Sequence, residues 1–121
     1  MKIIIFELAE LFTRNSIEYH FDGSTALYLQ DRSNYMNDID IVFPYENIMK
    51  VKRLFECESI TGETYNEEAN MYEFAYIKNN IKVHLLFYNE KIDTFYDFHR
   101  KILIEGAGLW IKGYEHFERL V

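Results

Sequence analysis

Apolar residues Ile4, Leu8, Leu11 and Phe12 recur at helical spacing while Glu7, Glu10 and Arg14 point elsewhere, which predicts an amphipathic helix ending near Asn15. Residues 17–21 alternate apolar and polar and read as a strand closing at the turn formers Asp22 and Gly23. Ser24 stands where it would cap a short helix over residues 25–30. A polar stretch follows, and residues 38–43 then alternate again and stop at Pro44, the pattern of a second strand. Asn47 is placed to cap a helix reaching Phe55, with Ile48, Val51 and Phe55 along one face. The polar stretch 61–70 separates it from two strands, 71–77 and 81–87, whose short link 78–80 suits a hairpin. Residues 102–104 and 109–111 read as short strands around Gly106-Ala107-Gly108, and residues 114–121 as the start of a last helix. Helices interleaved with strands predict an α/β or α+β chain: a mixed β-sheet with helices packed on it.

Composition bounds this picture. With 121 residues, 49% hydrophobic and 27% charged, the chain is sized for one domain, 1–121, and able to bury a core. The net charge of -7 works against duplex DNA and anionic membranes and favours a small ligand or a metal ion. A single cysteine, Cys57, rules out an internal disulfide and fits a reducing, cytoplasmic setting. The apolar start is interrupted by Glu7 and Glu10 with no small-residue cleavage site after it, so a helix rather than a signal peptide is expected.

The candidate chemistry lies between residues 21 and 43. Asp38 and Asp40 stand two apart on a predicted strand, so their side chains leave one face with Cα atoms roughly 6.5 to 7 Å apart. Both carboxylates can reach one hard divalent cation, which takes oxygen ligands and is commonly shared with substrate phosphates. Ile39, Ile41 and Phe43 on the opposite face anchor the strand in the core. Upstream, Gly23-Ser24 falls between a strand and a helix, where backbone N–H groups and the positive helix end favour a phosphate. Arg32, just before the acidic strand, is a candidate phosphate contact. His20 lies on the polar side of the first predicted strand, beside the Gly-Ser turn, and His99 and His116 have no partner at ligand spacing.

The run 21–29, then Arg32, then Asn37-Asp38-Ile39-Asp40-Ile41, resembles the nucleotidyltransferase superfamily that includes the minimal, the antibiotic-modifying and the abortive-infection toxin nucleotidyltransferases. The resemblance implies that Gly23 and Ser24 cradle a nucleoside triphosphate and that Asp38 and Asp40 hold Mg²⁺ or Mn²⁺. It also implies a third carboxylate on a later strand. In the segment 81–87, His84 occupies that place. An imidazole there can ligate a metal or take a proton, yet it adds no negative charge, and Glu73 on the partner strand is a second candidate. Two functions follow: transfer of a nucleoside monophosphate to a hydroxyl acceptor, with Asp38, Asp40 and His84 as the catalytic residues, or a non-catalytic binding or regulatory module acting with a partner protein or a second copy of the chain.

Overall fold

The computed structural model describes residues 2–58, 60–89 and 94–118. Four helices and seven strands follow in the order α1 (Lys2–Arg14), β1 (His20–Asp22), α2 (Gly23–Leu29), β2 (Ile39–Phe43), α3 (Ile48–Leu54), β3 (Thr64–Asn66), β4 (Met71–Lys78), β5 (Ile81–Tyr88), β6 (His99–Ile104), β7 (Ala107–Lys112) and α4 (Glu115–Glu118). All strands join one mixed sheet in the order β3-β4-β5-β2-β1-β7-β6. At its centre β2 runs antiparallel to β1 and parallel to β5. The expected α+β architecture is therefore the one observed.

Alternation along the strands divides the sheet into two faces. Ile39, Ile41 and Phe43 of β2 and Val83, Leu85 and Phe87 of β5 are all buried and form the core face. Helix α1 lays Ile5, Leu8 and Phe12 into that core, and the Phe12 ring meets Phe43 edge-on at 5.0 Å. Val51 of α3 is buried in the same cluster. The opposite face carries Asp22, Asp40 and His84 in one row, with a small second cluster of Val42, Tyr88 and Phe95. Among the described residues no helix is long and apolar enough to cross a membrane.

Several element ends differ from the sequence pattern for local reasons. Ile17 and Tyr19 are buried as expected, but the Ile17 N–H donates to the Phe12 carbonyl at the end of α1, so only residues 20–22 join the ladder. Asp22, rather than Ser24, caps α2: Gly23 already lies in the helix, and Asp22 accepts its N–H. Asn47 provides no side-chain cap for α3, because a 3-10 turn over Tyr45–Asn47 runs directly into the helix. β2 begins at Ile39, one residue after Asp38. The polar stretch 61–70 contains the edge strand β3, which shows no apolar alternation because both Thr64 and Tyr65 face solvent. The last helix is seen from Glu115 to Glu118, and residues 119–121 of that expectation lie outside the described residues.

Candidate active site

The site grows from the β1–α2 connection. Gly23 adopts a φ of +56°, a conformation that other residues reach only at a cost, and this turns the chain from β1 into α2. A Cβ built on Gly23 would collide with Oδ2 of Asp40 and lie 3.4 Å from its Cγ, so the absence of a side chain is what admits that carboxylate. Ser24 follows, half-buried in the first turn of α2.

Thr25, fully buried, holds this bend against the acidic strand. Its hydroxyl donates to the Asp38 carbonyl and accepts the Asp40 N–H, both at 3.0 Å. One side chain thus fixes both aspartates relative to Gly23. Periodicity did not single it out; the one signal was its place directly after the Gly-Ser pair.

Across β2 and β5, Asp40 pairs with His84 in the ladder. His84 Nε2 lies 3.5 Å from Asp38 Oδ2, and Nδ1 lies 4.0 Å from Asp40 Oδ1. The structure therefore brings Gly23, Asp38, Asp40 and His84 together. The Asp38 side chain is 41% exposed, those of Asp40 and His84 25%, so the group opens to solvent on one side. Of this group only His84 lines an open cavity of about 390 Å³, together with Glu73, Thr61, Gly62 and Glu63. Arg32 does not join the group: its guanidinium lies 3.8 Å from the centre of the Tyr114 ring, beside a separate cavity of about 630 Å³.

Negative charge accumulates around Asp40. Burial, then Asp22, then Asp38 and Glu73 push its pKa up to about 7. Asp22 was not anticipated as a site residue; it stands directly opposite Asp40 in the β1–β2 register. Glu73 is one row further along the sheet, opposite Leu86, and accepts a hydrogen bond from Asn66.

Behind Asp22 the buried His20 meets the half-buried His99, a pair that sequence spacing could not reveal, its members being 79 positions apart. His20 Nδ1 is 3.2 Å from His99 Nδ1, and the His20 ring stacks on Phe95 while that of His99 stacks on Trp110. Burial and the nearby Lys112 push the His20 pKa down to about 2, so it is a neutral imidazole.

No family model matches the chain, and no curated protein does. Solved structures do. One is a nucleotidyltransferase candidate from Thermotoga maritima, similar over 97% of this chain and 82% of its own, with a TM-score of 0.76 at 15% identity. Another is ANT(2″)-Ia in complex with adenylyl-2″-tobramycin, similar over 98% of this chain and 75% of its own, with a TM-score of 0.60 at 13% identity. At such identities the likeness defines the fold, and the fold is nucleotidyltransferase-like.

Proposed function

We propose that this chain binds a divalent cation, Mg²⁺ or Mn²⁺, together with a nucleoside triphosphate, and transfers a nucleoside monophosphate to a hydroxyl acceptor. The observation that carries the reading is the packing of a bare glycine bend against the Asp40 carboxylate, with Asp38 and His84 beside it. An anion seat and a cation seat would then lie side by side, which a metal-bound triphosphate requires. The donor set fits a hard cation. Asp38 and Asp40 offer oxygen ligands, and the raised pKa of Asp40 reflects crowded negative charge that a cation would relieve. Among the described residues no three His, Cys, Asp or Glu side chains form a ready-made metal site, so the reading rests on the pair Asp38 and Asp40. When bound, the metal would supply charge neutralisation on the phosphates.

In this reading Asp38 and Asp40 hold the metal, Gly23 lets phosphate approach the bend while its own N–H stays with Asp22, Ser24 offers phosphate its N–H and hydroxyl, and His84 stands where a proton acceptor for the attacking hydroxyl is wanted. The acceptor is a small molecule, protein or RNA bearing a hydroxyl. Arg32, engaged with Tyr114, would have to leave that ring to meet a phosphate. The exposed single cysteine, Cys57, supports a reducing, cytoplasmic setting.

One observation favours a second reading, a non-catalytic nucleotidyltransferase-fold module acting with a partner protein or a second copy. His84 approaches both aspartates, and its imidazole crowds the place that a cation would take between them. Incubation with α-labelled ATP, Mn²⁺ and a panel of hydroxyl acceptors decides. Transfer by the wild type, abolished in Asp38→Asn and Asp40→Asn, establishes the enzyme. An inert wild type made active by His84→Asp establishes the second reading.

A further inference from the structure

We propose that Asp22 is the third carboxylate of the cation site, in the role that the family resemblance would give to an acid at position 84. The proposal rests on the reading that Asp38 and Asp40 hold a divalent cation.

Register comes first. Asp22 and Asp40 are directly opposed Cα partners on antiparallel strands, so their side chains project from the same face, the face that also bears His84. Two like charges so opposed destabilise a strand pair. Attachment comes second. Asp22 Oδ1 accepts the Gly23 N–H at 2.7 Å, which ties this carboxylate to the very bend that Asp40 packs against.

A buried, unsatisfied donor behind Asp22 is the independent observation. His20 is fully buried, and its Nε2 has no hydrogen-bond partner among the described residues. With His99 as the donor in the Nδ1···Nδ1 contact, His20 carries its proton on Nε2, and that atom faces Asp22 Oδ2 at 3.9 Å. A buried N–H left unpaired is costly and rare. Carboxylate ligands of metals are commonly steadied by a second hydrogen bond from behind. A small turn of Asp22 that completes the His20 bond leaves it held by one donor on each oxygen, with its remaining lone pairs free for a cation. Glu73 lacks this support: its contact is an exposed-edge amide, Asn66, and it stands opposite Leu86 rather than Asp40.

The ordinary role of an aspartate at this place is to cap a helix, and asparagine caps as well as aspartate. Asp22→Asn therefore keeps the cap and removes only the charge. Binding of Mn²⁺ alone, with no nucleotide, is measured by the loss of the free-ion paramagnetic resonance signal on wild type, Asp22→Asn, Asp40→Asn and Glu73→Gln, and each protein is melted to show that it is folded. The expected result is at least tenfold weaker Mn²⁺ binding in Asp22→Asn and in Asp40→Asn, and less than a twofold change in Glu73→Gln. Wild-type affinity in Asp22→Asn alongside loss in Asp40→Asn overturns the role of Asp22 and leaves the two-aspartate site standing. A loss in Glu73→Gln but not in Asp22→Asn does the same. No Mn²⁺ binding by the wild type overturns this proposal and the site beneath it together. Asp22→Ser, which retains a capping oxygen, replaces the amide variant if that one melts early.

Discussion

Gly23 and Asp40 are in contact through the absence of a side chain: the Asp40 carboxylate occupies the space where a Cβ on Gly23 would be. The same glycine holds a φ of +56°. Gly23→Ala therefore meets two obstacles, a left-handed backbone worth roughly 1 to 2 kcal/mol and a collision that must push Asp40 aside. The expected outcome is a melting temperature several degrees lower and at least tenfold weaker binding of Mn²⁺ with ATP, followed by calorimetric titration. Unchanged binding in a folded Gly23→Ala protein would remove the bend from the site.

Asp40 and His20 make opposite contributions to stability as pH changes. The folded-state pKa of Asp40 is raised to about 7 from 3.8, so the folded chain holds a proton that the unfolded chain has lost between those values. Stability from this group is greatest below about pH 4 and falls as pH rises towards 7. For His20 the folded-state pKa is lowered from 6.5 to about 2, so the unfolded chain binds the extra proton and stability falls as pH drops below about 6.5. The variants separate the two. Asp40→Asn is expected to melt higher than the wild type at pH 8 by a few degrees and to lose that advantage towards pH 4, while His20→Phe, able to stack on Phe95, is expected to flatten the acid limb. Melting curves from pH 4 to 8 measure both, and an Asp40→Asn advantage that grows on acidification would contradict the assignment.

Thr25 links helix α2 to the start of β2 through one hydroxyl that donates to Asp38 and accepts from Asp40. Thr25→Val keeps the shape and takes the hydroxyl partner from a part-buried carbonyl and a part-buried N–H, a cost of about 1 to 3 kcal/mol. Urea unfolding is expected to show that loss for Thr25→Val and much less for Thr25→Ser. Because the hydroxyl also sets where the aspartates stand relative to Gly23, Mn²⁺ affinity should fall with Thr25→Val at temperatures where the protein is fully folded. Equal midpoints for the valine and serine variants would deny the hydroxyl its part.

What the sequence made legible was whatever local pattern determines. The alternation of Ile39, Ile41 and Phe43 against Asp38 and Asp40, and the hairpin of β4 and β5, follow from periodicity within a few residues. Gly23 and the aspartate pair were legible because a turn and a two-residue spacing fix their geometry. Asp22 was hidden behind its ordinary meaning as a turn former, and only the β1–β2 register shows it opposite Asp40. His20 and His99 meet through strands distant in the chain, and Thr25 acts through a single hydroxyl that no period marks. β3 escaped notice because an exposed edge strand buries too little to need alternation.

His84 stands between Asp38 and Asp40, and its replacement tests whether crowded charge or imidazole chemistry dominates there. His84→Asp places another carboxylate directly beside Asp40 in the register, adding repulsion to a carboxyl whose pKa is already driven up by burial and by Asp22. Without metal, such a variant is expected to melt below the wild type at pH 8, and below His84→Asn, which removes the imidazole without adding charge. A cation held by Asp38 and Asp40 would reverse that order, since the added acid then contributes a ligand instead of repulsion, and stabilisation scales with how far the metal concentration exceeds its dissociation constant. Millimolar Mn²⁺ should therefore raise the melting temperature of His84→Asp more than that of the wild type, and more than that of His84→Asn. If Mn²⁺ shifts all three proteins equally, the ion binds away from position 84.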